Sequence, residues 1–573
     1  ACASRRTWVG CLLLISSINA LSSSYWNSRV PEKSTPKKFL HRIREAPWRG
    51  GLEPGKEVDS VLELVEGSIP DELRGSLYRN GPGRVRVGEA EYGHWFDGDG
   101  FVTAACFKGT DQPVKFCSRY VQTERIISQQ KEGSDDDGEI SAMAVRGAWT
   151  QRGKAGPLQW LSNIFRQPTN PSNTHVISFA NRLLSLAEGG LPLELDSKTL
   201  ETGKEFRFFN ATSGDDLKSF CAAHSRCDPE TGNLFGFGVV FGPGTPQLNI
   251  FEADATSGAM LRQDALPLPF TTFIHDMALS KNHMVLFIPP WTIEDMTPFL
   301  LGNQAVGKLF QWTANKLSSS GKKRGTRALI VDRSDFSRYQ FVELPKALSL
   351  YHVINAFDEC KNEENIIRVA IAELRGSREN LEDNFGNMYS AAFEADNECR
   401  PVEHTFRKRN GIWLHDQRRE IIPSGLNHSS DSLPFELPEV NPSWLGRADL
   451  RFVYTNALTT PSSGFIDGIQ RIDLLGSEYG SDEAWPVWEP GSGRYAGSPI
   501  FVPRPHGTSS EAVGFTSREE DAGWVLVYVY DSDKHRTDLV VLDASKIENG
   551  PVAVLRLPVH APFSFHGSWV ASS

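Results

Sequence analysis

Beyond residue 45, apolar residues occur in short runs or alternate with polar residues. Examples are residues 234–241, 284–288 and 524–530, each bounded by Gly, Pro, Asn or Asp. A period of two, or a short apolar run between turn residues, predicts a half-buried or buried β-strand. The 49 Gly and 34 Pro are scattered rather than clustered, which favours many tight turns. The pattern therefore predicts a strand-rich protein in which residues 45–573 form a single domain.

Two segments, residues 158–165 and 299–312, have the spacing of an amphipathic helix instead. Packing into the core is the usual role of such a face, and contact with a membrane is the alternative. We define a candidate membrane patch by five apolar residues of the second segment. They are Phe299, Leu300, Leu301, Phe310 and Trp312.

The first 44 residues differ in charge from the rest of the chain. They contain eight Lys or Arg and one acidic residue, whereas the whole chain has a formal net charge of −11. An apolar run over residues 8–21 is too short for a comfortable membrane span and suits the core of a signal peptide. The Ser-rich, basic segment that follows is typical of a transit peptide. Residues 1–44 are therefore predicted to be a targeting leader to a plastid, with the secretory pathway, or an amphipathic anchor, as alternatives.

Composition and motifs exclude several functions. The negative net charge argues against a nucleic-acid partner. Residues 302–308 match most of a P-loop, but Leu309 stands where a hydroxyl would bind Mg²⁺, so no nucleotide cofactor is expected. Residues 97–100 lack the third acid and the distal Glu of a calcium loop. No Cys-x-x-Cys pair is present, which disfavours a zinc ribbon.

Four histidines stand out because each lies beside apolar or small residues, and two directly precede a predicted strand. They are His224, His275, His352 and His566, separated by 51, 77 and 214 residues. These separations are too long for a local metal motif, so the four could meet only in a closed fold. Taken singly, a histidine in such a context is more often a hydrogen-bonded structural residue than a ligand. The residues alone leave both interpretations open.

Two motifs are more specific. Residues 73–83 read LRGSLYRNGPG and residues 92–100 read YGHWFDGDG. Together with the four histidine contexts, in the same order, they make residues 55–570 resemble the carotenoid cleavage oxygenase family. The resemblance implies an all-β, seven-bladed β-propeller with a helical cap over the face that carries the active-site entrance. It also implies that the four histidines hold one non-haem Fe²⁺ per chain, and that His94 and Asp97 are structural turn positions.

The implied reaction is oxidative cleavage of one double bond of a carotenoid or apocarotenoid, with O₂, to give two carbonyl products. Neutral imidazoles suit Fe(II), and four of them leave two open octahedral positions. Oxidation of one C=C to two C=O releases four electrons, which O₂ accepts, so no organic redox cofactor is needed. Because carotenoids reside in membranes, peripheral membrane contact is also expected.

The resemblance further implies carboxylates that orient the ligands. A ligating histidine usually donates its second N–H to a carboxylate, which fixes the tautomer. Glu188 matches the position expected to orient His275, and Glu436 the position expected to orient His352. The third position departs from the family, because Ser498 stands where the family has a glutamate for His566. We therefore expect weaker iron retention or a shifted redox potential.

Three other functions remain open. A stilbene-cleaving relative typically carries Lys before the first of these glutamates, and here that residue is Ala187. A retinoid isomerohydrolase would cleave an ester without consuming O₂. A propeller that has lost catalysis could bind a polyene, and Ser498 is the feature that favours it.

Overall fold

The computed structural model describes most of the chain from Ala46 to Ser572. The residues left out within this range are 89, 111, 133–146, 151–168, 211–220, 241–244, 301–303, 315, 318–320, 322–323, 375–398, 423–432, 461–464, 477–484 and 506–519. The predicted leader and the amphipathic segment 158–165 lie outside the described residues, and both remain predictions.

Seven antiparallel sheets form the blades of a β-propeller, as expected. The strand order in each blade runs from the centre of the propeller outward. Blade 1 contains His566–Ala571, Arg74–Arg84, Asp99–Lys108, Lys115–Tyr120 and Val58–Val61. Blade 2 contains His175–Phe179, Arg182–Leu186, Leu193–Leu195 and Thr202–Glu205. Blade 3 contains Arg226–Cys227, Leu234–Val240, Gln247–Ala253 and Met260–Pro267.

The remaining four blades follow in chain order. Blade 4 contains Ala278–Leu279, His283–Ile288, Arg327–Asp332 and Tyr339–Glu343. Blade 5 contains Ser349–Lys361, Glu364–Leu374, Cys399–Arg409 and Ile412–Glu420. Blade 6 contains Phe435–Glu439, Phe452–Ala457, Gly468–Asp473 and Val487–Trp488. Blade 7 contains Arg494–Ala496 and Ile500–Pro503, both paired with Gly523–Asp531, then Arg536–Asp543, Pro551–Arg556 and Glu63–Gly67.

Strands from both ends of the chain close the ring. The last strand pairs with Arg74–Arg84 in blade 1, with Asn80 opposite His566. Strand Glu63–Gly67 pairs with Pro551–Arg556 in blade 7, with Glu63 opposite Arg556. This closure fixes His566 at the centre of the molecule.

The apolar run 524–530 shows why the blades stack. Strand Gly523–Asp531 is buried on both faces, as a continuous apolar run predicts. Trp524 and Leu526 pack with residues of blade 1, whereas Val525 and Val527 pack with residues of blade 6. Alternate side chains thus bury surface against the two neighbouring blades, which confirms the strand expected from the sequence.

Helices contribute little to the described part of the chain. The α-helices are Glu124–Glu132 and Thr297–Leu300. The 3-10 helices are Pro47–Leu52, Trp95–Asp97, Val306–Leu309, Pro442–Trp444 and Ala544–Asn549. Two-strand ribbons join Arg86–Val87 to Ala90–Glu91 and Trp291–Thr292 to Gln311–Trp312. None of the described helices has the length and apolar character needed to cross a membrane.

The acidic turn near residue 97 is structural. Asp97 accepts hydrogen bonds from the Trp149 N–H (2.9 Å) and the Thr150 hydroxyl (2.5 Å). Asp99 forms ion pairs with Arg84 and Arg125. Both carboxylates are therefore engaged in holding loops and the α-helix Glu124–Glu132 against blade 1. His94 caps the short helix that follows it by accepting from the Phe96 N–H at 3.1 Å.

Candidate metal centre

Four imidazoles meet at the centre of the propeller. Nitrogen atoms of His224, His275, His352 and His566 all lie within 4.8 Å of one another. The ring centroids of His224 and His275 are 4.5 Å apart, and those of His224 and His566 are 4.6 Å apart. His352 Nε2 and His566 Nε2 are 3.2 Å apart. The fold thus brings together residues separated by hundreds of positions.

Each of these histidines lies in or close to the innermost strand of a different blade. His224 lies two residues before Arg226–Cys227 of blade 3, and His275 lies three residues before Ala278–Leu279 of blade 4. His352 lies within the central strand of blade 5, and His566 begins the central strand of blade 1. Because all central strands border the same axis, their side chains can converge without any being close in sequence.

Burial keeps two of the imidazoles neutral. It lowers the pKa of His224 well below its usual value, and the neighbouring histidines lower it further. The same two causes lower the pKa of His566. At His275, burial also favours the neutral form, but the Glu188 carboxylate outweighs it and raises the pKa. Neutral imidazole is the form that binds a metal ion.

The donor set fits a transition-metal ion. His224 Nε2 is buried and has no hydrogen-bond partner among the described residues. A buried nitrogen of this kind is costly unless something binds it. Four converging imidazoles suit divalent iron, cobalt, copper, nickel or zinc, and suit calcium or magnesium poorly.

Glu188 and Glu436 each lie beside one imidazole of the cluster. Glu188 Oε1 is 3.2 Å from His275 Nδ1. The His352 Nδ1–H donates to Glu436 Oε2 at 2.5 Å. In both pairs the carboxylate engages Nδ1, which leaves Nε2 of the same ring available to a metal.

Local backbone geometry holds Glu436 in place. Leu437 has a φ of 55°, in the left-handed region, at an irregularity between Glu436 and Glu439. The Leu437 N–H donates to Glu436 Oε2 at 2.7 Å, and the Cys399 thiol donates to Oε1 at 3.2 Å. A leucine in this conformation costs of order 1–3 kcal/mol, so the surroundings must maintain it. Sequence reasoning missed this role of Cys399.

Ser498 does not replace the missing carboxylate. Its side chain is buried, and its carbonyl oxygen accepts from Arg79 at 2.5 Å. In the described part of the chain, no carboxylate lies within ion-pairing distance of His566. His566 therefore differs from His275 and His352 in its surroundings.

An ion pair that the sequence did not reveal ties three ligand-bearing segments together. Asp276 Oδ2 accepts from Arg226 (2.7 Å) and from the Val353 N–H (2.8 Å). Arg226 also donates to the Val353 carbonyl at 3.0 Å. These residues lie within two positions of His224, His275 and His352. Only their spatial neighbourhood, and not any sequence spacing, indicates this role.

His175 was also missed. Its Nδ1 is 3.1 Å from the carbonyl oxygen of Ala223, which precedes His224, and its Nε2 is 3.2 Å from that of Gly567, which follows His566. Burial lowers the pKa of His175. This fifth histidine therefore contacts the backbone beside two histidines of the cluster without joining it.

Five aromatic side chains, which we call the aromatic wall, pack beside His275 and His566. Phe273 is stacked on His275 with centroids 6.0 Å apart, and Phe310 contacts Phe273 edge-on at 6.2 Å. Trp95 and Phe96 approach Phe565, next to His566, at 4.7 and 5.3 Å. Flat apolar faces of this kind can hold an extended conjugated chain.

The assignment of Phe310 to the candidate membrane patch is wrong. Phe310 is only 4% exposed and contacts the aromatic wall beside the histidines, so it cannot touch a membrane. Phe299 and Trp312 are half-buried, whereas the Leu300 side chain and Leu301 lie outside the described residues. Nearby, Met296 is 39% exposed and Leu317 is 64% exposed. These two residues are stronger candidates for a surface contact.

Comparison with known proteins agrees with the fold. The family model for the retinal pigment epithelial membrane protein matches residues 52–571. The chain is 30% identical to apocarotenoid-15,15'-oxygenase of Synechocystis sp., over 94% of this chain and 99% of that protein. It is 28% identical to the probable carotenoid cleavage dioxygenase 4, chloroplastic, of Arabidopsis thaliana, over 89% of this chain and 78% of that protein.

A solved structure is similar as well. The cobalt-substituted apocarotenoid oxygenase of Synechocystis superposes with a TM-score of 0.74 at 29% identity, covering 92% of this chain and 98% of that one. The agreement extends over nearly the whole of both chains. The protein therefore belongs to the carotenoid cleavage oxygenase family of enzymes.

Proposed function

We propose that the protein is an Fe(II)-dependent dioxygenase that cleaves one double bond of a carotenoid or apocarotenoid to give two carbonyl products. The observation that carries this proposal is the buried cluster of four imidazoles beside an aromatic wall. The names of the relatives support the substrate class. No nucleotide cofactor enters the proposal, because the balance of electrons between C=C and O₂ is already complete.

The residues of this chain would act as follows. His224, His275, His352 and His566 would hold the iron, which supplies the site where O₂ is activated. Glu436 accepts from the His352 Nδ1–H, and Glu188 Oε1 lies 3.2 Å from His275 Nδ1, so each carboxylate would aim the opposite ring nitrogen at the centre. The aromatic wall would bind the flat polyene and exclude water from the reacting bond.

The test is turnover under labelled oxygen. We expect Fe(II)-loaded protein, incubated anaerobically with an apocarotenal and then exposed to ¹⁸O₂, to yield two carbonyl products that both carry ¹⁸O when they are trapped before exchange with water. Mass spectrometry of the reduced products measures this. Label in one product only would contradict a dioxygenase, and ester cleavage without O₂ uptake would indicate an isomerohydrolase. Polyene binding without products would favour the catalytically weakened protein that the surroundings of His566 suggest.

We also propose peripheral contact with a membrane through Met296, Phe299 and Leu317. Full burial of a Leu or Met side chain contributes roughly 1.5–3 kcal/mol. We expect the double variant Met296→Ser, Leu317→Ser to bind phosphatidylcholine–phosphatidylglycerol vesicles at least about tenfold more weakly in a flotation assay, with unchanged iron content. The control is Ile412→Ser, since Ile412 is 54% exposed on blade 5. Equal binding by all three proteins would reject this surface.

We propose that the protein is located in a plastid and that residues 1–44 are the leader that targets it there. A chloroplastic relative is consistent with that location.

A further inference from the structure

Arg79 is a buried cation at the centre of the propeller. Its side chain is among the largest that are fully buried, with the residue only 1% exposed. It lies opposite Gly567 in blade 1, one position along the strand pair from Asn80 and His566, which face each other. Burying a charge without a compensating one is costly.

Among the described residues, the hydrogen bonds of Arg79 go to neutral oxygens. Nη1 donates to the Ser498 carbonyl at 2.5 Å, while Nε and Nη2 donate to the Ser564 hydroxyl at 3.0 and 2.9 Å. A guanidinium has five N–H donors, so two of these remain for another acceptor. Within the described residues no carboxylate lies at ion-pairing distance from Arg79.

The charged groups around Arg79 compensate its charge only in part. Arg226 is already paired with Asp276 at 2.7 Å. Glu439 attracts Arg79 from beyond ion-pairing distance, and burial raises the pKa of this carboxyl to about 7. Burial lowers the pKa of Arg79 to about 10, which still leaves it charged at neutral pH.

A small cavity adjoins this cation. Its volume is about 10 Å³, which admits one particle of about the size of a water molecule or, with slight displacement, a halide ion. The lining includes Arg79 together with the hydroxyl-bearing residues Thr103, Tyr528 and Ser564. Tyr528 and Thr103 share one hydrogen bond at 3.0 Å, so one of their two protons can point elsewhere. The Ser564 hydroxyl, which accepts from Arg79, also retains its own proton.

We propose that this pocket is a binding site for a small monovalent anion of the halide class, held by Arg79 and by hydroxyl protons of Ser564 and of Tyr528 or Thr103. The anion would neutralise the buried guanidinium. It would also place a negative charge near His566, which has no carboxylate at ion-pairing distance in the described part of the chain. Because Arg79 is not a member of the histidine cluster, the site does not depend on the proposed function.

Bromide provides the direct test. We expect crystals of the iron-loaded protein grown in sodium bromide to show an anomalous difference peak bounded by Arg79, Ser564 and Tyr528. Iron and bromide absorb at different edges, so data at two wavelengths separate this peak from the metal. Absence of a peak there would overturn the proposal, whether or not iron is bound.

Solution measurements supply the matched comparison. In the parent chain, 150 mM sodium bromide is expected to raise the melting temperature by about 1–3 °C relative to sodium gluconate at equal ionic strength, because the ion binds only the folded state. Ser498→Glu, which adds a tethered carboxylate near Arg79, should abolish this difference, whereas the neutral Ser498→Gln should retain it. Identical melting of the parent in both salts would argue against a site of useful affinity. A bromide effect that persists in Ser498→Glu would place the anion elsewhere. If Ser498→Glu does not fold, the anomalous map alone decides.

Discussion

Replacing His352 with alanine is expected to reduce bound iron from about one ion per chain to a small fraction of that. The reason is geometric: His352 Nε2 lies 3.2 Å from His566 Nε2, so both rings point into one small volume. Changes to groups that only support a ligand typically cost roughly 10–100-fold in affinity. Loss of the ligand itself should therefore cost at least about 100-fold, with turnover falling in parallel.

Iron per chain is measured by elemental analysis after anaerobic loading with Fe(II) and desalting. The matched control is His415→Ala, which removes an imidazole from the outermost strand of the same blade. This control should retain iron and turnover. Equal iron content in His352→Ala and the parent would contradict the proposal that four histidines hold the iron. Far-UV circular dichroism and the melting temperature show whether the variant is folded, since a misfolded protein would also lose iron.

Replacing Glu436 with glutamine is expected to lower iron affinity roughly 10–100-fold while the fold is retained. Glu436 Oε2 accepts both the His352 Nδ1–H and the Leu437 N–H, and Oε1 accepts from the Cys399 thiol. Glutamine can keep the shape and one oxygen, but it removes the negative charge that favours donation from Nδ1–H. The ring of His352 would then be less firmly oriented.

Competition with a chromophoric Fe(II) chelator measures the affinity. The control is Glu373→Gln, because Glu373 also contacts a buried histidine, His404, at 3.3 Å, but outside the four-histidine cluster. Iron affinity should be unchanged in this control. Equal affinities for Glu436→Gln and the parent would show that the carboxylate does not support the ligand. A restored affinity in Glu436→Asp is not expected, since the shorter side chain cannot reach His352 without a backbone shift.

The structure places three of the four histidines of the centre in two different environments. His275 and His352 each have a carboxylate at Nδ1. His566 has instead the buried guanidinium of Arg79 nearby, which contributes to the low pKa of His566 after burial and the neighbouring histidines. A centre with two carboxylates and an adjacent cation should hold Fe(II) less tightly than one with three carboxylates. The proposed halide would partly offset that difference.

What the sequence by itself determined was the strand-rich character and the identity of the chemical groups. Alternating and short apolar runs fixed strands such as Gly523–Asp531, because burial against neighbours on both faces demands apolar residues at successive positions. The motifs around residues 73–100 and the four histidine contexts were specific enough to indicate the family, and through it the propeller.

Only the tertiary structure decided which groups meet and which of them remain uncompensated. Convergence of His224 and His566 depends on ring closure between the last strand and Arg74–Arg84, a contact that no local pattern encodes. Phe310 looked like part of a surface patch because an apolar residue gives the same sequence pattern whether it faces a membrane or the protein interior. The roles of Cys399, Arg226 and Arg79 stayed hidden for the same reason: hydrogen bonds and charge pairs between blades join residues that are far apart in the chain, and their energies depend on distance and burial rather than on sequence spacing.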